Sequence, residues 1–217
     1  MQRKWWWAGC AATVALAGWG VWHLHPAGGL SAGPPPLPAP VITAESPQAQ
    51  PVRMIQTLPR SLPYKIVVKK ISLWALVEQL GMRNDTRLET PPYDKANKAF
   101  WYRNSSTPGE PGPAVFLGHV DSKDKIAAFF YLSRIRPGNQ IEVIREDRST
   151  AIFEVSSVEQ FSKSNFPTER VYGYTEEPTL RLVTCGGKYD TKTQSYVDNI
   201  VVFATMVSSL PSPPVKR

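Results

Sequence analysis

The sequence contains very little cysteine and histidine, which narrows the chemistry available to it. It has two cysteines and three histidines in 217 residues. A disulfide between Cys10 and Cys185 would join an apolar N-terminal stretch to the later, folded part, so we expect no such pairing. A lone cysteine in an exported domain is unusual, because oxidising compartments favour paired ones. His23 and His25 share the N-terminal stretch, and that leaves Cys185 and His119 as the thiol and imidazole of the folded part.

The sequence also lacks any run of lysine and arginine interleaved with aromatic residues. Such runs follow the phosphate backbone of a nucleic acid, and here the basic residues behind the formal net charge of +7 are scattered. Scattered charge predicts a solvated surface with weak attraction for anionic lipid or wall polymer. We therefore expect no nucleic-acid partner.

Charged residues are missing from Trp5–Leu24. An apolar stretch of about 20 residues is long enough to cross a bilayer, and Arg3 and Lys4 before it place the N-terminus in the cytoplasm by the positive-inside rule. The alternative, a cleaved signal peptide, usually has a shorter apolar region. We predict a cytoplasmic tip and single-pass plasma-membrane anchor at residues 1–25, with the domain that follows extracellular.

Glycine is outnumbered by proline, 14 to 21. Most of the prolines lie near the two ends of the chain. Residues 26–51, rich in proline and alanine, predict an extended tether that holds a domain away from the membrane. Residues 208–217 predict a disordered tail, so that one folded domain occupies residues 52–207.

Long helical periods are scarce in that domain. Short apolar runs bounded by proline, glycine, asparagine and aspartate predict strands instead. The predicted strands are Tyr64–Val68, Ala114–Leu117, Gln140–Arg145, Ala151–Val158, Thr179–Cys185 and Asn199–Thr205. Only Leu73–Leu80 and Ile126–Leu132 show helical signals. The domain is therefore expected to be mainly β, and the strand spacing fits either a closed barrel or a sandwich.

Cys185 and His119 each follow an apolar strand, where a side chain can project from the end of the sheet. An ordinary thiol is only a few per cent thiolate at neutral pH, so a nucleophilic cysteine needs a cationic or basic neighbour. Gly186 and Gly187 directly after the cysteine permit close approach of a substrate backbone. The pair predicts a cysteine nucleophile with an imidazole acid/base partner.

These motifs resemble the sortase family. Leu180-Arg-Leu-Val-Thr-Cys-Gly-Gly187 is similar to the sortase cysteine signature, and Gly118-His-Val-Asp-Ser122 is similar to its histidine motif. Further matches are Gly109–Ala114, Phe166–Thr168 with Val171–Gly173, and Asp198–Ala204. The likeness is greatest to class F sortases of actinobacteria and extends from about Leu62 to Thr205.

The resemblance implies a closed eight-stranded sortase β-barrel with short helices. It further implies a cysteine transpeptidase that cleaves a Leu-Pro-X-Thr-Gly-like sorting signal between threonine and glycine through a Cys185 thioester. His119 would protonate the departing amine. The implied partners are surface proteins bearing a C-terminal sorting signal and an amine acceptor such as lipid II or a pilin lysine. Thiolate, imidazolium and oxyanion donors cover the charge changes, so no metal or organic cofactor is expected.

The third residue of the family, an arginine, is less directly matched. It usually lies on the strand after the cysteine, where this sequence has Asn199. Arg181 lies four residues before Cys185 and shares its face by the two-residue period of a strand. We predict Arg181 as the third catalytic residue, with an ordinary salt bridge as the alternative role and Arg170 as a weaker candidate.

Around the cysteine, we predict that Val183, Thr184, Gly186 and Asn199 contact the substrate. Asp121 either orients the imidazole of His119 or bonds its own backbone in a turn.

Two other functions remain open. An L,D-transpeptidase that acts on peptidoglycan is also a β-rich exported Cys/His enzyme, although the glycines after Cys185 and the lack of a second nearby histidine disfavour it. In a non-catalytic wall-binding barrel, Cys185 would be inert.

Overall fold

The apolar runs fold into strands that turn one face inward. We describe a computed structural model, which covers residues 57–83, 87–122 and 126–213. The strands are β1 (Pro63–Val68), β2 (Leu73–Leu80), β3 (Met82–Arg83), β4 (Arg87–Leu88), β5 (Ala99–Tyr102), β6 (Gly112–Leu117), β7 (Gln140–Arg145), β8 (Thr150–Ser162), β9 (Pro178–Asp190) and β10 (Ser195–Leu210). The α-helix α1 spans Thr168–Tyr172, and short 3₁₀ turns lie at Lys69–Ile71, Tyr93–Lys95, Leu132–Arg134 and Lys163–Asn165.

Eight strands close into a barrel in the order β1-β2-β5-β6-β9-β10-β8-β7, with β1 pairing β7. Two neighbouring pairs are parallel, β2 with β5 and β6 with β9, and the other barrel pairs are antiparallel. β3 and β4 form a separate two-stranded sheet. The predicted mainly β, closed-barrel fold is confirmed.

Alternation along β9 divides its side chains between two apolar clusters. Leu180 and Leu182 point into the barrel and pack in the main core, to which all eight barrel strands contribute buried side chains. Val183 points outward into a smaller cluster with Phe203 of β10 and Val171 of α1. The helix α1 therefore covers the outer face of β9 before Cys185 and leaves the end of the strand uncovered.

All six predicted strands are present, but the helical interpretation of Leu73–Leu80 was wrong. That segment is β2, and its burial alternates: Leu73 and Ala75 are buried whereas Trp74 and Leu76 are exposed. Its leucine, alanine, glutamate and glutamine favour helix. Pairing with β1 on one side and β5 on the other overrides that preference, since strand pairing and burial outweigh intrinsic propensity.

The expected short helix at Ile126–Leu132 was also wrong. This segment consists of turns that lead into the 3₁₀ turn at Leu132–Arg134, with hydrogen bonds from Leu132 N to Phe129 O and from Ile135 N to Leu132 O. Phe129, Leu132 and Ile135 are fully buried. Their three-residue spacing matches the 3.0 residues per turn of a 3₁₀ helix rather than the period of an α-helix.

The C-terminal strand extends past the predicted domain end at residue 207. Ser208, Ser209 and Leu210 belong to β10, where they pair with Ile152, Ala151 and Thr150 of β8. The predicted anchor at residues 1–25 and the tether at 26–51 lie outside the described residues. Within the described ranges, no helix has the length and apolar character needed to span a membrane.

Candidate active site

Cys185 lies on the outward face of β9, just past the part that α1 covers. The alternation of the strand places it on the same face as Val183 and Arg181. Its partner across the antiparallel ladder is Asn199 of β10. The Cys185 side chain is half-buried and unpaired, so the thiol is held in place by its strand and still accessible to a substrate.

The parallel register of β6 and β9 brings His119 to Cys185. Leu117 of β6 pairs with Val183 of β9. His119 follows Leu117 by two residues, and Cys185 follows Val183 by two residues. Neighbouring strands lie about 4.8 Å apart. The pairing continues past the end of β6, because Gly118 N donates to Val183 O at 3.2 Å and Thr184 Oγ1 donates to Gly118 O at 2.8 Å. The predicted nucleophile and its predicted base therefore lie at the same end of the β6–β9 pair and line one cavity.

Gly118 permits this close approach. A Cβ at this position would lie 2.6 Å from Cδ2 of the buried Phe129 ring. Phe129 N in turn donates to His119 O at 3.0 Å. The absence of a side chain at residue 118 lets Phe129 pack beneath the backbone that carries the histidine.

The imidazole of His119 is oriented from its far side by residues 91–93. Its Nε2 lies 2.8 Å from Pro91 O, and because a carbonyl only accepts, Nε2 carries the hydrogen. The ring of Tyr93 stacks on the imidazole with centroids 4.3 Å apart and an interplanar angle of 26°. The other ring nitrogen, Nδ1, is thus the one that remains for proton exchange with a substrate.

Cys185 and His119 both open into a single cavity of about 970 Å³. Its lining comprises Tyr93, Asp94, His119, Val120, Asp121, Ser122, Cys185, Tyr189, Gln194, Ser195 and Tyr196. The cavity lies toward the β9–β10 hairpin, on the far side of Cys185 from α1. It is large enough to accept an extended peptide end or an amine-bearing group next to the thiol.

Asp121 bonds across the cavity rather than in its own turn. Tyr196 Oη of β10 donates to Asp121 Oδ2 at 2.8 Å. This hydrogen bond is the main cause of a raised pKa of the Tyr196 hydroxyl, since ionisation would set two negative charges together. The Tyr196 ring also meets Tyr189 edge-on at 5.3 Å. Asp121 therefore fastens the loop after His119 to the hairpin.

Arg181 lies on the predicted face but is largely enclosed. It is 7% exposed, donates from Nη1 to Leu180 O at 3.1 Å and lies 4.8 Å from the Phe203 ring centroid. Its Nε is buried without a hydrogen-bond partner among the described residues. Burial, and secondarily the charge of Arg170, lowers the pKa of Arg181 to about 10. Its role as the third catalytic residue stays a prediction.

The guanidinium of Arg170 also lies over Phe203, at 4.7 Å, and bonds Glu159 with both of its terminal nitrogens. Arg170 thereby attaches α1 to β8 and does not line the cavity.

The other predicted contact residues surround the thiol at different depths. Thr184 is buried and bonds the backbone before His119, so it supports the site. Val183 packs in the outer apolar cluster. Gly186 meets Ile200, whose side chain would lie 2.6 Å from an added Cβ. Contact of these residues and of Asn199 with substrate stays a prediction.

Sequence reasoning missed Pro91, Tyr93, Tyr189 and Tyr196. The two hairpin tyrosines pair across β9 and β10, a register that no local motif reveals. Among the described residues, no group of three or more histidine, cysteine, aspartate or glutamate side chains is arranged to hold a metal ion.

Comparison with known proteins decides the family. The sortase domain model matches residues 66–207. The chain belongs to the sortase family. Sortases are transpeptidases, and this sortase has their barrel. No match was found among curated proteins.

Solved structures agree on the fold. Sortase A of Listeria monocytogenes is 15% identical with a TM-score of 0.52, covering 69% of this chain and 90% of that one. The SrtA sortase from Actinomyces oris is 18% identical with a TM-score of 0.53, covering 72% and 86%. Pilus-related sortase C of Group B Streptococcus is 15% identical with a TM-score of 0.53, covering 70% of each chain. The likeness to class F stays a prediction.

Proposed function

We propose that this sortase cleaves a Leu-Pro-X-Thr-Gly-like sorting signal with Cys185 as nucleophile and His119 as acid/base. The observation that carries the proposal is the β6–β9 register, which brings both residues to the same end of the strand pair, where both line one cavity. A wall-binding barrel without catalysis has no need to face its only described cysteine and only described histidine toward a common opening.

The reaction divides into two acyl transfers. The Cys185 thiolate attacks the threonine carbonyl, the C–S bond forms, and the C–N bond to glycine breaks as His119 gives its proton to the leaving nitrogen. An acceptor amine then attacks the thioester, and the neutral imidazole takes a proton as the C–N bond forms and the thiolate leaves. Because Pro91 O holds Nε2 as a donor, we assign the proton transfers to Nδ1.

Two residues are proposed to contact the acyl peptide. Asn199 pairs directly with Cys185 and shares its face, so it is the polar side chain next to the thioester. Arg181 lies four residues earlier on β9, about 13 Å away along the strand. Four residues of an extended peptide have the same length, so Arg181 is suited to the leucine-side end of the signal. Its buried Nε has a spare hydrogen to donate, and contact requires Arg181, which is 7% exposed, to become more accessible.

The cellular setting follows from the sequence. The apolar residues 5–24 and the proline-rich residues 26–51 support a single-pass membrane anchor and a tether that present the barrel outside the cell. The proposed donors are surface proteins with a sorting signal, and the proposed acceptor is an amine of the wall or of a pilin. The motif likeness supports assignment to class F.

The test uses the full-length chain in detergent with quenched Leu-Pro-X-Thr-Gly peptides. Wild type should cleave the peptide and form a thioester visible by mass spectrometry. Cys185→Ala should lose both, whereas Cys10→Ala, which removes the other cysteine, should keep both. If wild type and Cys185→Ala were equally inactive across a peptide library, with and without amines, the proposal would be wrong.

A further inference from the structure

The wall of the cavity beyond His119 has a composition suited to a cation. Tyr93, Tyr189 and Tyr196 line it together with the carboxylate of Asp121. Carboxylates and the faces of aromatic rings both attract ammonium groups.

Asp121 is held ready for such a group. Tyr196 Oη donates to its Oδ2 at 2.8 Å. The ring of Tyr196 is fixed by the edge-on contact with Tyr189, with centroids 5.3 Å apart. The hydrogen bond from Tyr196 thus fixes the Asp121 carboxylate on the wall of the cavity.

The chemistry of the two half-reactions places an amine on this side of the thiol. His119 protonates the amine that leaves and takes a proton from the amine that enters, so both amines occupy the space beside its ring. Asp121 follows His119 by two residues and lines the same cavity. A carboxylate at this place therefore lies beside the space that the amines occupy.

We infer that Asp121, positioned by Tyr196, binds the ammonium group of the acceptor amine and so favours charged primary amines as acceptors. This inference rests on the proposed function. The bound ammonium loses one proton to water and becomes a nucleophile; the nitrogen then bonds the thioester carbonyl, its second proton goes to His119, and the Cys185 thiolate leaves. Asp121 raises the local concentration of the amine and takes no part in the proton transfers.

The test compares two nucleophiles, propylamine and hydroxylamine, at neutral pH in wild type and in Asp121→Asn. Propylamine is protonated under these conditions, whereas hydroxylamine is mainly uncharged. The measured quantity is the ratio of kcat/KM for propylamine to kcat/KM for hydroxylamine in release of the Cys185 thioester from full-length protein. In Asp121→Asn this ratio should fall about fivefold, the equivalent of one ion pair of ~1 kcal/mol.

Three more variants sharpen the result. Asp121→Glu keeps the charge and should restore part of the ratio. Tyr196→Phe removes only the hydrogen bond and should lower the ratio about twofold, which corresponds to less than 1 kcal/mol. Glu154→Gln removes one exposed carboxylate from β8, away from the cavity, and should leave the ratio unchanged. A ratio in Asp121→Asn and Asp121→Glu equal to that of wild type would overturn the inference while leaving the sortase proposal intact. Failure of wild type to form any thioester would overturn both.

Discussion

The two sides of Cys185 along β9 differ in how far neighbouring side chains cover the strand. Before the cysteine, Val183 packs with Val171 of α1 and Phe203 in an apolar cluster, and the guanidinium groups of Arg170 and Arg181 lie over the Phe203 ring. After it, the surface opens into a cavity lined by tyrosines and aspartates. One strand thus presents a closed side and an open side to the same thiol, and we propose that acyl peptide and amine approach it from these two opposite directions.

The largest effect is expected on the open side, from His119→Asn. Asparagine retains polarity but cannot transfer the proton, so the rate of thioester formation should fall about 10²- to 10⁴-fold. Single-turnover acylation measures this rate. The free energy of unfolding in urea should stay close to that of wild type; a large loss of stability would mean that the histidine mainly supports the fold.

On the closed side, Phe203→Ala should cost stability. Phe203 is 6% exposed, and the guanidinium groups of Arg170 and Arg181 both lie over its ring. Replacing a buried phenylalanine by alanine typically lowers the free energy of unfolding by about 3–5 kcal/mol. Urea unfolding measures the loss. Phe130→Ala, at a ring that is 45% exposed, is the control and should cost less than about 1 kcal/mol. Equal losses for the two variants would contradict a packed outer cluster.

Gly187→Ala should perturb the open side more weakly. Gly187 has φ of +75°, and an added Cβ would lie 2.3 Å from Asp198 Oδ2. Left-handed backbone costs a non-glycine residue about 1–2 kcal/mol, and the contact adds to that cost. Gly138 has φ of +82°, and an added Cβ there would have no atom within 4 Å. Gly138→Ala therefore measures the backbone cost alone. The free energy of unfolding should fall further in Gly187→Ala than in Gly138→Ala.

The smallest effect is expected from Arg181→Met, which separates binding from stability. Because burial lowers the pKa of Arg181 to about 10, folding disfavours its charge at neutral pH, and that penalty is relieved only as pH rises above 10. Methionine should therefore leave the free energy of unfolding at pH 7 unchanged or raise it by about 1 kcal/mol.

The same variant should raise the KM for the sorting peptide about tenfold, through loss of one charged hydrogen bond. Arg170→Met is the control, because the buried, unpartnered Nε belongs to Arg181 and not to Arg170. This variant should leave the KM for the peptide near that of wild type. No change in KM for Arg181→Met would assign Arg181 a packing role.

Much of the barrel could be predicted because exposed-and-buried alternation is local. Gln140–Arg145 is a strand in sequence and in structure, with the same bounds. Leu73–Leu80 could not be assigned correctly, since helix-favouring side chains conceal a strand that exists only by pairing with β1 and β5. Likewise the role of Asp121 was undecided between a turn and the imidazole, and its partner proved to be Tyr196, 75 residues away.

The sequence by itself determined which groups are available for catalysis. Cys185 and His119 are the thiol and imidazole of the folded part, and each follows an apolar strand, so their identity needed no structure. Only the tertiary structure decided that they line one cavity, because the parallel register of β6 and β9 is a long-range property of the closed barrel. It also decided what surrounds them. Tyr93, Tyr189 and Tyr196 carry no local signature of a site, and they form one wall only because three separate chain segments converge beside the thiol.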